Sequence, residues 1–266
     1  EKVSASSGVS AAMIMAFIKG ESGGNPNAKA FNGDNYCKCL GWGSSSDTER
    51  FMQGLESSNI MGSSYINKKW VNKTRFGFKK DYSDWKKNKE SYKKQSYYYR
   101  SGYMYWDTAY FNAHKEGSNS QKAFDLAYSI NPRCAVEATA WGKVQVMGSH
   151  LIKSHAEILD MGSGKAARDH FDDISLLASS DMYVSWVKSA GKFSSKNKSN
   201  ISYASKHNVP EVLGATYLDV IGMAEKDSSK YGYFLFLTRK YYGTFDQKYA
   251  KRLQKNFQMY QGIYTK

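Results

Sequence analysis

At 266 residues, the chain can form one large domain or two small ones around a substantial core. Its 38 Lys and Arg residues against 24 Asp and Glu residues give a formal net charge of +14, which predicts an anionic partner such as nucleic acid, a membrane surface or an acidic cell-wall polymer. No apolar run approaches the ~20 residues that a membrane-spanning helix needs, so we expect no membrane insertion.

The first predicted helix ends in a carboxylate on its apolar face. Helical spacing of apolar residues marks that face: Met13, Ile14, Phe17 and Ile18. Glu21 falls four residues after Phe17 and so continues the same face. Ser7 or Ser10 can cap the start of this helix, and Gly23-Gly24 followed by Asn25-Pro26 ends it.

The position of Glu21 predicts a raised pKa. Burial disfavours the charged form of a carboxyl group, and the negative end of the helix dipole acts in the same direction. A carboxylic acid that is still protonated near neutral pH can act as a general acid, for example towards a glycosidic oxygen. The alternative is a solvated glutamate at a frayed helix end.

The cysteines and histidines give no metal signature. Cys37 and Cys39 are too close for an easy mutual disulfide and short of the usual zinc spacing. One bridge from Cys134 to either of them and three free thiols both remain open. The histidines lack the His-Glu-x-x-His spacing, so we expect no metal and no cofactor.

The first residues, Glu1-Lys2-Val3-Ser4, lack signal-peptide character, which suggests a mature form or a piece of a longer chain.

Residues 40–112 are predicted to be an insertion, with a Tyr- and Lys-rich stretch of short strands and loops from residue 65 onward. Its tyrosines and lysines would also suit a nucleic-acid stacking surface.

Helical patterns dominate after residue 118: a helix capped by Ser118 or Ser120, one over Asp172–Lys188, one opened by Pro210, one over Tyr231–Tyr241 and a last one with a Thr244–Gln247 capping box. Ile174, Leu177, Val184 and Val187 are predicted to face inward, and Gly191–Asn208 is predicted to be an exposed loop. One mainly helical domain over residues 1–266 is the predicted organisation.

A second informative run extends from Glu137 to Gly148. Gly142 and Gly148 permit the close approach of another backbone or of a ligand. An amide at Gln145, between these glycines, can bind an N-acetyl group or orient a water molecule.

Together the two runs resemble the lysozyme-like peptidoglycan-cleaving enzymes. The matching pieces are Glu21-Ser22 with Asn25-Pro26 and Ala28, and the run from Ala140 to Met147. In lytic transglycosylases the corresponding pieces are a helix ending in Glu-Ser and a later Gly-Leu-Met-Gln-Ile-Met. A closer resemblance is to the phage-type N-acetylmuramidase family of endolysins, over Ala113–Gly148 and again at Tyr241-Tyr242-Gly243, which matches Tyr-Asn-Gly before a terminal helix. Residues 40–112 match only loosely.

This resemblance implies a mainly α, lysozyme-like α+β fold with Glu21 as the catalytic acid. It implies a sugar-binding cleft lined by Ser22, Thr139, Trp141, Gly142, Gln145, Met147 and Tyr242. Two positions depart from the family pattern: Lys143 replaces an apolar residue, and Tyr242 replaces Asn.

The implied activity is cleavage of the β-1,4 bond between N-acetylmuramic acid and N-acetylglucosamine, either by hydrolysis or by lytic transglycosylation. Candidates for a second carboxylate are Asp34, Glu90 and Glu137, of which Glu137 is the best placed by motif. We expect the partner to be peptidoglycan glycan strands, the domain to be monomeric, and the site of action to be a phage virion or the wall of a lysing host. A non-catalytic wall-binding domain and a nucleic-acid binder are the alternatives.

Overall fold

The computed structural model describes residues 2–41, 46–57, 77–78, 104–105 and 119–264. In chain order the helices are α1 (Lys2–Ser7), α2 (Ala11–Glu21), α3 (Gly33–Cys39), α4 (Ser46–Ser57), α5 (Asn119–Ile130), α6 (Pro132–Glu137), α7 (Gly148–Leu151), α8 (Gly164–Ser189), α9 (Lys198–Lys206), α10 (Tyr217–Lys226), α11 (Tyr231–Tyr242) and α12 (Gln247–Tyr264). Single 3₁₀ turns cover Ala156–Asp160 and Pro210–Val212. The strands are β1 (Lys29–Phe31), β2 (Gly77–Phe78), β3 (Met104–Tyr105), β4 (Thr139–Trp141) and β5 (Val146–Met147).

The described structure consists mainly of helices, with a small antiparallel sheet. This confirms the predicted mainly α, lysozyme-like fold class. Among the helices of the described residues, none has both the length and the apolar character needed to cross a bilayer. The chain divides into two compact units, one formed by Glu1–Asn25 with Ser179–Lys266 and the other by Pro26–Ala178. We describe each unit by itself, and the single domain over 1–266 stays a prediction.

The unit formed by Pro26–Ala178 is built around a three-stranded antiparallel sheet in the order β1-β4-β5. Phe31 lies opposite Thr139, and Ala140 lies opposite Met147. The fully buried indole of Trp141 packs against Phe124 and Phe171, with ring centroids 5.6 and 4.8 Å away. These aromatic rings fill the core beneath the sheet and fix the strand that carries Trp141.

A disulfide joins two helices of this unit. Cys39 at the end of α3 is bonded to Cys134 in α6, which settles the pairing that the sequence left open. Cys37 is buried and lies outside the disulfide.

The described part of the Tyr- and Lys-rich stretch forms a two-stranded antiparallel pair. Gly77 lies opposite Tyr105 and Phe78 opposite Met104, which agrees with the short strands predicted there. Residues 58–76, 79–103 and 106–118 lie outside the described part of the structure, so the rest of that prediction is not tested.

The other unit packs α2 against the C-terminal helix α12. The ring of Tyr249 lies so close to Gly20 that a Cβ atom there would be 3.2 Å from the tyrosine hydroxyl. Asn256 Nδ2 donates a hydrogen bond to the carbonyl oxygen of Ala16, 3.4 Å away. Glycine at position 20 therefore allows α12 to approach the last turn of α2.

Two predictions about the long helix α8 are wrong. It begins at Gly164, eight residues before the predicted Asp172. Leu177 is 62% exposed rather than buried, whereas Ser175 and Ala178 are buried. A pattern drawn only from large apolar residues missed this face because small residues supply much of it.

Three predicted boundaries in the C-terminal region also need correction. The predicted loop Gly191–Asn208 contains α9, whose Asn197 cap accepts a hydrogen bond from Asn200 N at 3.1 Å. Pro210 opens only a 3₁₀ turn, and α10 begins later, at a Thr216 capping box. The last helix is capped by Asp246 Oδ1, which accepts from Tyr249 N at 2.8 Å, instead of by Thr244. In each case the residue directly before the observed helix supplies the cap: Asn197, Thr216 or Asp246.

Candidate functional site

Glu21 is the last residue of α2, as predicted. Ser10 Oγ accepts a hydrogen bond from Met13 N and caps the start of the helix. At the other end, Ser22 N donates to Ile18 O at 3.2 Å, and Ser22 Oγ accepts from Gly24 N at 3.2 Å. These caps fix where the helix ends and hold Glu21, which is half-buried, in its final turn.

Two buried tyrosines lie near Glu21 within the same unit. Tyr217 and Tyr183 are almost completely buried, and neither hydroxyl has a hydrogen-bond partner among the described residues. Burial raises the pKa of Tyr217 well above its usual range, and the charges of Tyr183 and Glu21 add to this. The Glu21 carboxylate therefore lies within electrostatic range of a buried, unpaired phenol.

Aromatic rings surround these tyrosines. Trp186 lies 4.9 Å from Tyr217 and 5.1 Å from Tyr241, measured between ring centroids. Tyr241 also packs against Phe17, one turn before Glu21, at 5.6 Å. The helix that ends in Glu21 is thus held by tilted and edge-on rings. Tyr242 is the last residue of α11, and its side chain lies outside the described part of the structure.

In the other unit, a tight loop joins β4 to β5 and carries Gln145. Gly142 and Gln145 have positive φ angles of 74° and 49°. Gln145 Nε2 donates to the carbonyl oxygens of Gly142 at 3.0 Å and Ala28 at 3.1 Å, and Gly142 N donates to Ala28 O at 2.7 Å. These bonds hold the side-chain amide of Gln145 with its nitrogen turned inward and occupied.

The same hairpin buries two residues that were expected to bind sugar. Thr139 is fully buried, and its Oγ1 donates to Ala135 O at 2.8 Å. Trp141 is fully buried, and its indole Nε1 donates to Val136 O at 3.1 Å. Their contacts make them supports of the sheet, and a direct contact with substrate stays a prediction for both.

Glu137 and Met147 line one open pocket of about 400 Å³ in this unit. The other residues that line it are Asn35, Lys38, Cys39, Ala138 and Ser149. Arg133 Nη1 lies 3.5 Å from Glu137 Oε1 in a solvent-exposed ion pair. Of the other candidates for a second carboxylate, Glu90 and the side chain of Asp34 lie outside the described residues.

A buried ion pair lies directly after Ala28. Lys29 is only 3% exposed, and its Nζ donates to the carboxylate of Asp172 and to Asn27 O. Burial lowers the pKa of Lys29, and the hydrogen bond that Lys29 donates to Asp172 opposes that shift. The pair anchors β1 to α8, and no sequence pattern predicted it.

The structure thus brings the predicted residues together in separate sets. Glu21 and Ser22 are consecutive in one unit, and in the other unit Gly142 and Gln145 share a loop while Glu137 and Met147 share a pocket. Sequence reasoning missed Asn35 and Lys38 on α3 and Ser149 on α7, which only the tertiary packing of these helices could have indicated. Across the part of the chain that the structure describes, no three His, Cys, Asp or Glu side chains are placed to hold a metal ion.

Comparison with known proteins gives one family. Residues 51–164 match the model of the N-acetylmuramidase family. That match includes Glu137 and Gln145 but not Glu21, and it begins inside the segment 40–112 that was expected to be an insertion. No curated protein and no solved structure matches the chain. The match implies a glycosidase that acts on peptidoglycan, and it confirms the family resemblance seen in the sequence. Over residues 51–164, this chain is similar to the N-acetylmuramidase family.

Proposed function

We propose that this protein cleaves the β-1,4 bond between N-acetylmuramic acid and N-acetylglucosamine, with Glu21 as the general acid. The observation that carries this proposal is the place of Glu21 at the capped end of α2, half-buried near the Tyr217 hydroxyl, which has no hydrogen-bond partner among the described residues. The match of residues 51–164 to the N-acetylmuramidase family supports the substrate class. A carboxyl group in partly apolar surroundings keeps its proton to higher pH, which a general acid needs.

In the proposed reaction, the Glu21 carboxyl group gives its proton to the leaving glycosidic oxygen while an oxocarbenium-like centre develops on the muramic acid ring. In hydrolysis, a water molecule then attacks that centre. In lytic transglycosylation, the 6-hydroxyl of the same muramic acid attacks, and the Glu21 carboxylate takes back the proton.

We propose that the Gly142–Gln145 loop binds the N-acetyl sugar. The nitrogen of the Gln145 amide is occupied by two backbone carbonyl groups. Its carbonyl oxygen has no hydrogen-bond partner among the described residues and is free to accept one from an N-acetyl N–H group. We also place Ser22, Met147 and Tyr242 among the substrate-binding residues.

The setting we propose is a phage lysin or a wall-piercing component of a virion, acting as a monomer. Resemblance to phage endolysins supports this setting, and the net charge of +14 suits an anionic cell wall. Because surface charges are screened by salt, activity on whole walls should fall as ionic strength rises.

Digestion of purified peptidoglycan tests the proposed reaction. Muropeptides released by the wild type are analysed by mass spectrometry before and after borohydride reduction. Reducible muramic acid ends indicate hydrolysis of the proposed bond, and products lighter by one water that resist reduction indicate transglycosylation. Reducing ends on glucosamine, or walls that are bound but not cleaved, would contradict the proposal.

A further inference from the structure

We propose that the open pocket lined by Asn35, Lys38, Cys39, Glu137, Ala138, Met147 and Ser149 binds the peptide stem of peptidoglycan. We name it the stem pocket, and its assignment to peptidoglycan rests on the proposed function. Lys38 would bind a stem carboxylate, and Glu137 would bind the ammonium group of a diamino acid in the stem.

The charges of the stem pocket favour a ligand that carries both signs. Lys38 and Glu137 both line the pocket, one supplying a cation and the other a carboxylate. A bare glycan strand offers hydroxyl and acetamido groups but no ammonium group. Stem peptides carry carboxylates and often an unlinked side-chain amine, so they match the two charges of the pocket.

The uncharged lining of the pocket suits an extended peptide. The side-chain amide of Asn35 and the hydroxyl of Ser149 make no hydrogen bond to other described residues, so both can bind a peptide backbone. Ala138 and Met147 provide an apolar floor for small side chains. A cavity of about 400 Å³ is large enough for a few residues of such a peptide.

The walls of the stem pocket are fixed before any ligand binds. The disulfide between Cys39 and Cys134 ties α3, which carries Asn35 and Lys38, to α6, which ends at Glu137. Met147 follows Gln145 by two residues on the β4–β5 hairpin. A glycan strand held at the Gly142–Gln145 loop would therefore carry its stem close to the pocket.

The present partner of Glu137 can be exchanged at little cost. Its ion pair with Arg133 is 3.5 Å long, and the Arg133 side chain is 63% exposed. Exposed pairs of this kind contribute little to stability. An ammonium group from a ligand can therefore replace Arg133 without breaking a strong interaction.

Two substrates separate a stem-binding role from a catalytic role for Glu137. One is intact peptidoglycan, and the other is the same material after an amidase has removed the stem peptides. For Lys38→Gln and Glu137→Gln we expect KM on intact peptidoglycan to rise by about fivefold, as for exposed ion pairs. On peptide-free strands we expect wild-type kinetics for Lys38→Gln, whereas kcat of Glu137→Gln on the same strands reports any catalytic role of that carboxylate.

Control variants and a direct binding measurement complete the test. Arg133→Gln removes the partner of Glu137 that a ligand would have to replace, so it should not raise KM on either substrate. A synthetic stem pentapeptide with a free diamino-acid amine, titrated onto the wild type, should bind more tightly than to Lys38→Gln. This titration does not depend on cleavage, so it reports on the pocket even if Glu21→Gln shows that the proposed function is wrong.

Two outcomes would overturn the inference. Equal loss of kcat on both substrates in Glu137→Gln would make Glu137 a catalytic carboxylate. Unchanged kinetics on intact peptidoglycan, together with no difference in peptide binding, would show that the pocket binds no stem.

Discussion

The side-chain nitrogen of Gln145 donates a hydrogen bond to the carbonyl oxygen of Ala28, 3.1 Å away and 117 positions earlier in the chain. The same carbonyl oxygen accepts a hydrogen bond from Gly142 N at 2.7 Å. One backbone carbonyl group thus fixes both ends of the β4–β5 loop. To make these contacts, Gln145 adopts a positive φ of 49°, which is an unfavourable backbone conformation for a residue other than glycine.

Substitution of Gln145 separates its hydrogen bonds from its backbone strain. Gln145→Ala removes both side-chain hydrogen bonds and keeps the unfavourable φ, and we expect it to lower the free energy of unfolding by about 1–3 kcal/mol. Gln145→Gly loses the same bonds but relieves the strain, so it should be about 1 kcal/mol more stable than Gln145→Ala. Denaturant unfolding measures both values. Equal stability of Gln145→Ala and the wild type would show that the amide does not fix the loop.

The Cys39–Cys134 disulfide should stabilise the unit that contains the sheet. It closes a loop with a sequence separation of 95, and removal of a disulfide around a loop of this size should cost about 3–4 kcal/mol. We expect Cys134→Ser and treatment with a reductant to lower the melting temperature by similar amounts. The reductant should have no effect on Cys134→Ser, and a further decrease there would show that the stabilisation has another source.

The buried pair Lys29–Asp172 should be sensitive to loss of its acid. Asp172→Asn leaves the buried ammonium group of Lys29 without its counter-charge and should cost about 2–3 kcal/mol, less than for fully buried pairs because Asp172 is 37% exposed. Lys29→Met leaves a carboxylate that can reach water, so it should cost less. A double-mutant cycle measures the coupling. A smaller loss for Asp172→Asn than for Lys29→Met would contradict this account.

His207 should make the protein less stable in weak acid. Burial, with a smaller contribution from the charge of Lys206, lowers the pKa of His207 below its usual value of 6.5, and its buried Nε2 has no partner among the described residues. At pH values between the folded and the unfolded pKa of His207, the unfolded chain binds more protons than the folded chain. The contribution of neutral, buried His207 to the free energy of unfolding is therefore fully present above the unfolded pKa and is lost as pH falls.

His207→Phe keeps a ring against Tyr203 and Tyr231 but cannot be protonated. Its free energy of unfolding should therefore fall less than that of the wild type as pH decreases from about 6.5. His150, whose pKa is also lowered by burial, retains part of the dependence in this variant. Parallel stability curves for His207→Phe and the wild type would rule out this role.

Local patterns in the sequence were enough to predict the helix around Glu21. Its apolar spacing, its serine cap and the glycines after it all act within one short segment. The family resemblance likewise depended on short continuous runs, among them Glu21-Ser22 and Ala140–Met147. Physical rules with a range of a few residues predict such features well.

Features that depend on tertiary packing could not be predicted in the same way. The pairing of Cys39 with Cys134, the burial of Lys29 against Asp172, and the burial of Trp141 each depend on residues far apart in the chain. The helix α9 was missed because its lysines and serines resemble a loop, although Asn197 caps it and Ala204 is buried. Composition alone does not show which face of such a helix is covered.

The most direct test of the central claim compares Glu21→Gln with Glu225→Gln. Both replace one carboxylate with an amide in the same unit, and Glu225 Oε1 accepts a hydrogen bond from Ser10 N, a role that glutamine can keep. We predict that Glu21→Gln releases muropeptides at least about 100-fold more slowly than the wild type, with an unchanged melting temperature. We predict near-wild-type release by Glu225→Gln. Release by Glu21→Gln at the wild-type rate would contradict the assignment of Glu21 as the general acid.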